Sequence, residues 1–322
     1  MEKTLENQYG SKLPNRSQLL PEIKDLLEEM DELPVVAADS ISLKQHRENS
    51  IKNLTDLWGP RENVDNIEDL ILDTDHGLKA RIYRPDNSTG TILFFHGGGW
   101  VVGDLETHDG SCRMLANLSG AAVVSVEYRK APEHRFPAAL NDCDMALSWL
   151  IERGKKHRLD TEGILICGES AGGNLAAITA IHARDKGIKL VGQILIYPVI
   201  STEMSTKSYR DFESGFFLTA ERMRWFIGHY ADAADLKHPD ITPLNCSNLA
   251  GLAPALVMAA DHDPLRDEVR AYAAAMVLSG CDVVYREIPG TVHGVWIMNA
   301  RTAATCAMIT DAAKWARARL NC

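Results

Sequence analysis

Ser170 stands in Gly168-Glu169-Ser170-Ala171-Gly172, directly after the apolar run ILIC and before a helix-like stretch. A serine flanked in this way at a strand-to-helix junction fits a nucleophile elbow. The turn is so tight that side chains two positions before and after the serine would collide, and glycine avoids this. A serine hydroxyl is a weak nucleophile and needs a base, which a third group must orient. His293, in PGTVHGV after the run DVVYREI, is the candidate base. The acid comes from PALVMAADHDPLRDE, where Asp261 and Asp263 follow a strand-like run and Asp267 lies already inside a helix. Spacing leaves Asp261 and Asp263 nearly even. Asp263 is favoured because the residue before Pro264 is held away from helical geometry, at the apex of the loop.

Attack on an acyl carbonyl creates an oxyanion, which backbone N–H groups aimed at it in advance stabilise. FFHGGGW offers such donors: three glycines close a strand, and glycine in regular structure costs roughly 0.5 to 1 kcal/mol against alanine, so something must approach that backbone closely. Gly98, Gly99 and Ala171, the residue after the serine, are the candidate oxyanion donors, with His96 anchoring the loop. Phosphate binding by these glycines is disfavoured, because no helix-like segment starts before about Gly110.

These residues need a frame. TILFFH, AAVVSVEY, GILICG, LVGQILIY, PALVMAA and DVVYREIP are mostly continuous apolar runs separated by helix-like segments. That alternation predicts an α/β fold with a mostly parallel central sheet and helices on both faces. IEDLILD and LKARIYRP predict a hairpin about DHG. Residues 1–60 carry apolar positions at three- and four-residue intervals and are expected to form a helical cap segment, with 61–322 the catalytic domain. The stretch 201–248 is too long for an ordinary connection and is expected to be a cap insertion.

Over 322 residues, 34 Lys and Arg against 44 Asp and Glu leave a net charge of −10, with no basic face for nucleic acid. No run approaches a membrane span and no signal-peptide core is present, so a soluble, cytoplasmic protein is expected. Seven scattered cysteines without CxxC pairs predict neither a disulfide framework nor a zinc site; Cys322 is expected to oxidise first.

HGGGW, GESAGGNLA, DPLRDE and HG, together with EYRKAPEHRFPAAL, resemble the hormone-sensitive-lipase-like family of bacterial esterases in the α/β-hydrolase superfamily, from about Asn66 to the C-terminus. The resemblance implies hydrolysis of short-chain acyl esters without metal or organic cofactor. It also implies Ser170, Asp263 and His293 as the triad, with Gly98, Gly99 and Ala171 as the oxyanion hole, and so supports Asp263 over Asp261. A homodimer through the last strand, Asp282 to Ile288, is a further expectation from the family. Glu169, Trp100, Lys130 and Val295 stand where Asp or Thr, Phe, Leu and Phe are usual. Trp100, Val101, Phe216, Phe217 and Trp296 are candidates for shaping the acyl pocket, with core packing as the alternative. Tyr128 to Pro137 is expected to brace the site, with Glu133 and Arg135 paired. HGGGW is also similar to the HGGxW loop of kynurenine formamidases, which keeps an amide substrate open. Plant gibberellin receptors share the fold but lack the histidine that His293 supplies, which favours an enzyme.

Overall fold

A computed structural model describes residues 15–33, 40–73, 75 and 77–320; Cys322 and parts of the N-terminal segment lie outside the described residues. The parallel core of the sheet is built from the runs picked out by their continuous hydrophobicity: β3 (Thr91–Phe95), β4 (Ala122–Glu127), β5 (Ile164–Glu169), β6 (Gly192–Ile196), β7 (Ala255–His262) and β8 (Val283–Val292). The hairpin β1 (Asn66–Asp73) and β2 (Leu78–Arg84) joins antiparallel, giving the order β1-β2-β4-β3-β5-β6-β7-β8. All pairings from β4 across to β8 are parallel, so the carboxyl ends of β3, β5, β7 and β8 open on one edge.

Side-chain alternation explains the uninterrupted apolar runs. In β3, Ile92 and Phe94 pack on one side and Leu93 and Phe95 on the other, and both sides are buried. One core joins α4 (Ala138–Arg153), α5 (Ala171–Asp185) and α8 (Arg266–Leu278) to the sheet. The other joins α3 (Asp109–Ser119) and α9 (Ala303–Leu320).

Two groups of helices lie outside this sandwich. In the N-terminal segment, α1 (Pro21–Asp31) starts with proline in its first turn and buries Ile23, Leu26 and Leu27. There α2 (Leu43–Trp58) is capped by the Ser42 hydroxyl, which accepts from the Gln45 amide at 3.2 Å. Between β6 and β7 come α6 (Lys207–Asp211) and α7 (Ala220–Tyr230), the latter capped by Thr219. The segment 128–137 ties these to the sheet edge. The Tyr128 hydroxyl donates to the His96 carbonyl at 2.7 Å, and the Phe136 amide to the Tyr230 carbonyl at 2.8 Å. The expected Glu133–Arg135 pair does not form. Residues two apart in this loop diverge: Glu133 pairs with Arg47 of α2 at 2.7 Å and Arg135 with Asp232 at 2.9 Å.

Candidate active site

Ser170 caps α5 with φ 57° and ψ −118°, a positive-φ conformation that a non-glycine residue enters only under constraint. The flanking glycines meet that constraint. A Cβ at Gly168 would lie 2.1 Å from the Gly172 carbonyl oxygen, and one at Gly172 would lie 2.0 Å from that of Phe95. Ser170 Oγ lies 2.8 Å from His293 Nε2, and His293 Nδ1 donates to Asp263 Oδ2 at 2.7 Å. The second Asp263 oxygen accepts the Leu265 amide at 2.9 Å, which fixes the carboxylate. Burial alone would lower the His293 pKa, but the charge and hydrogen bond of Asp263, with Glu169 behind, raise it above the ordinary 6.5.

Asp261 faces elsewhere. Its carboxylate accepts the Gly290 and Thr291 amides at 2.9 and 3.0 Å and contacts His262 at 2.8 Å. Burial opposes its ionisation, yet these donors hold it below the usual carboxylate range. It therefore clamps the end of β8 that leads to His293.

The three glycines after β3 meet three different neighbours. A Cβ at Gly97 would lie 1.7 Å from Glu169 Oε2, one at Gly98 would lie 2.2 Å from the Val102 carbonyl oxygen, and one at Gly99 would lie 2.1 Å from the Phe226 ring. Gly98 (φ 115°) and Gly99 (φ 58°) also adopt backbone that favours glycine. The amides of Gly98, Gly99 and Ala171 donate no hydrogen bond among the described residues. Below them His96, fully buried, donates from Nδ1 to the Gly97 carbonyl at 2.7 Å. Burial, with Lys130 and His108 nearby, keeps this imidazole neutral, its pKa well below 6.5.

Glu169 is buried rather than solvated. Its carboxylate lies 3.3 Å from His108 Nε2 and adds to burial in raising the pKa of nearby Tyr197, whose hydroxyl accepts the Trp296 amide at 3.1 Å. The Tyr197 ring packs on His293 with centroids 4.6 Å apart. Glu169 thus joins the glycine loop to the wall behind the base. Its motif position was legible in the sequence, but His108 and Tyr197 carried no spacing signal, because they meet it only through the sheet.

A cavity of about 810 Å³ contains Ser170, His293, Gly98 and Gly99 in its wall, along with Leu26 and Leu54 of the N-terminal helices and Met223 and Phe226 of α7. Trp100, Val101, Phe216 and Trp296, candidates for shaping the pocket, do not line it; all four are buried in packing. At φ 59° the Trp100 backbone turns its ring flat onto Tyr230, centroids 4.2 Å apart. Phe217, the fifth of these candidates, does line the cavity, as does Ile297, one residue on from Trp296. A single residue step reverses direction in these turns, and sequence could not tell which residue pointed inward.

A mostly parallel sheet with a serine on a strained turn at its carboxyl edge, and acid and histidine loops after later strands, defines an α/β-hydrolase. The comparisons agree. Residues 92–297 match the family described as alpha/beta hydrolase fold. An arylesterase of Saccharolobus solfataricus is 33% identical over 85% of this chain and 90% of its own. An ethyl acetate hydrolase of Pseudomonas putida is 35% identical over 81% and 84%. The solved structure of an ester hydrolase from the metagenome of Lake Arreo, bound to a bipyridine phosphonate derivative, superposes with a TM-score of 0.90 at 32% identity, over 94% of this chain and 100% of that one. The chain belongs to the α/β-hydrolase family, in its hormone-sensitive-lipase-like esterase branch, and is a serine esterase by class.

Proposed function

We propose that this chain hydrolyses short-chain acyl esters in two steps. Ser170 Oγ attacks the ester carbonyl as its proton passes to His293 Nε2. Asp263 stabilises the imidazolium, and the Gly98, Gly99 and Ala171 amides hold the oxyanion. The proton then goes to the departing alkoxide, leaving an acyl-serine. Water, deprotonated by His293, attacks the acyl carbon and releases the carboxylic acid, and the proton returns to Ser170.

The observation that carries this reading is the continuous contact from the Ser170 hydroxyl through His293 to the buried Asp263 carboxylate, in the wall of the same cavity as two free glycine amides. The name of the Pseudomonas putida relative supports a short acyl group. In the test, Ser170→Ala is compared with the parent on p-nitrophenyl esters of increasing acyl length, and the parent is labelled with a phosphonate. The expected results are a loss of about 10⁴-fold or more in kcat, an adduct on Ser170 and fastest turnover of the shorter esters. Labelling of another serine, or full activity in Ser170→Ala, removes the assignment. Matched ester and amide substrates separate esterase from amidase.

A further inference from the structure

We propose that the cavity beside Ser170 receives esters that carry a carboxylate, held by the guanidinium of Arg222; this rests on the ester-hydrolysis reading above and specifies its substrate class. Arg222 lies in the first turn of α7, placed by its own amide, which donates to the capping Thr219 hydroxyl at 3.0 Å. It lines the same cavity as Ser170, His293, Gly98 and Gly99. Its guanidinium lies 4.4 Å from the Trp225 ring centre and 4.8 Å from that of Phe226. Phe226 is also the ring packed against Gly99, so the cation sits one aromatic side chain away from the glycine loop.

Among the described residues no carboxylate lies within 4.0 Å of this guanidinium, which donates only to His46 Nδ1, at 3.4 and 3.5 Å. Elsewhere in the cavity wall lie two charge pairs and a carboxylate–histidine contact. Arg301 pairs with Glu29 at 2.7 Å, Asp56 with Lys52 at 3.2 Å, and Glu169 faces His108 at 3.3 Å. Arg81, Arg129 and Arg61 elsewhere all meet acids.

Three physical terms work against an unmatched cation in this position. Arg222 is partly withdrawn from water, and this burial pulls its pKa down. It lies in the first turn of a helix, where the dipole disfavours positive charge. Attraction to the two rings offsets only part of this and engages the guanidinium through its aromatic neighbours rather than through a charge. A substrate carboxylate would match the charge and accept from the planar fork in a bidentate pair. Glu29, Asp56 and Glu169 in the same wall make a singly charged carboxylate a better match than a dianion.

The test uses ester pairs that differ only in carboxylate against carboxamide. Ethyl hydrogen glutarate and ethyl glutaramate place the group on the acyl side; 3-acetoxypropanoate and 3-acetoxypropanamide place it on the alcohol side. Hydrolysis is followed in a pH-stat, with p-nitrophenyl acetate as a neutral reference. On one of the two arms the parent is expected to favour the carboxylate in kcat/KM by about tenfold or more. Arg222→Gln is expected to bring that ratio close to one, and Arg222→Lys to retain part of it. A parent ratio at or below one on both arms, with the neutral esters still hydrolysed, overturns the substrate class while leaving the esterase reading intact. Failure to hydrolyse any ester removes that reading itself. A ratio unchanged in Arg222→Gln overturns the role of Arg222. Should that variant not fold, competitive inhibition of the parent decides: butyrate binding more tightly than butyramide supports the proposal, and equal or weaker binding overturns it.

Discussion

At Ser170 the strained backbone is held by contacts that admit no extra atom, since Gly168 and Gly172 each meet a carbonyl oxygen where a Cβ would sit. The same economy acts at His293, which touches the Ser170 hydroxyl, the Asp263 carboxylate and the Tyr197 ring. As the proposed base, His293 must be neutral to accept a proton; burial lowers its pKa, but Asp263 outweighs this and raises it above 6.5. Activity is therefore lost on acidification at a higher pH than for an ordinary imidazole, and the acid limb of kcat/KM is expected to inflect above 6.5. Asp263→Asn removes the raising charge and leaves burial to lower the pKa. The limb should move to lower pH and kcat should fall by about 10⁴-fold. A pH–rate profile of the two proteins checks both effects, and an unmoved limb argues against Asp263 as the acid.

At the scale of elements, α8 carries a buried acid whose state is coupled to folding. Glu268 Oε1 accepts the Ile200 and Ser201 amides at 2.8 and 3.2 Å, while Oε2 has no hydrogen-bond partner among the described residues. Burial, with Asp263 nearby, pushes its carboxyl up to about 8. A folded-state pKa raised above the unfolded value adds stability at low pH. That stability is progressively lost as pH climbs from the ordinary 4.5 through about 8. Glu268→Gln cannot ionise and keeps an oxygen for the two amides. It is expected to melt at a higher temperature than the parent at pH 9, with the advantage shrinking toward pH 5; calorimetry across that range is the check. The element boundaries themselves were legible. The helix Asp109–Ser119 stops at Gly120, and Ala138–Arg153 lies between Pro137 and Gly154, because glycine and proline mark helix ends.

The whole molecule divides unevenly in burial, and that sets which parts open first. Most of α5 is buried against the sheet, whereas α2, 16 residues long, buries only His46 and Trp58. In native-state hydrogen exchange, amides of α2 are expected to exchange faster than those of β5 and α5. Equal protection would mean that the N-terminal helices open only with global unfolding. Since α1 and α2 supply part of the cavity wall, their opening would also bare the apolar cavity to water.

The candidate nucleophile, base, acid and glycine loop could be proposed from the chain alone, because each rests on a local rule: glycine where backbone crowds, proline after a loop acid, histidine after a final apolar run. The parallel sheet was readable because strands buried on both faces must be apolar throughout. Which side chains face the cavity was decided only by the fold. Of the paired candidates Phe216 and Phe217 only Phe217 points inward, and Ile297 does so in place of Trp296, because one residue of turn reverses a side chain and no composition records the reversal. The packing of Phe226 on Gly99 and the placement of Arg222 beside it were likewise set by how α7 lies over the sheet edge. Phe226 and Gly99, 127 positions apart in the chain, meet there, and the physical reason is that a pocket is shaped by contacts between elements while sequence patterns report contacts within them.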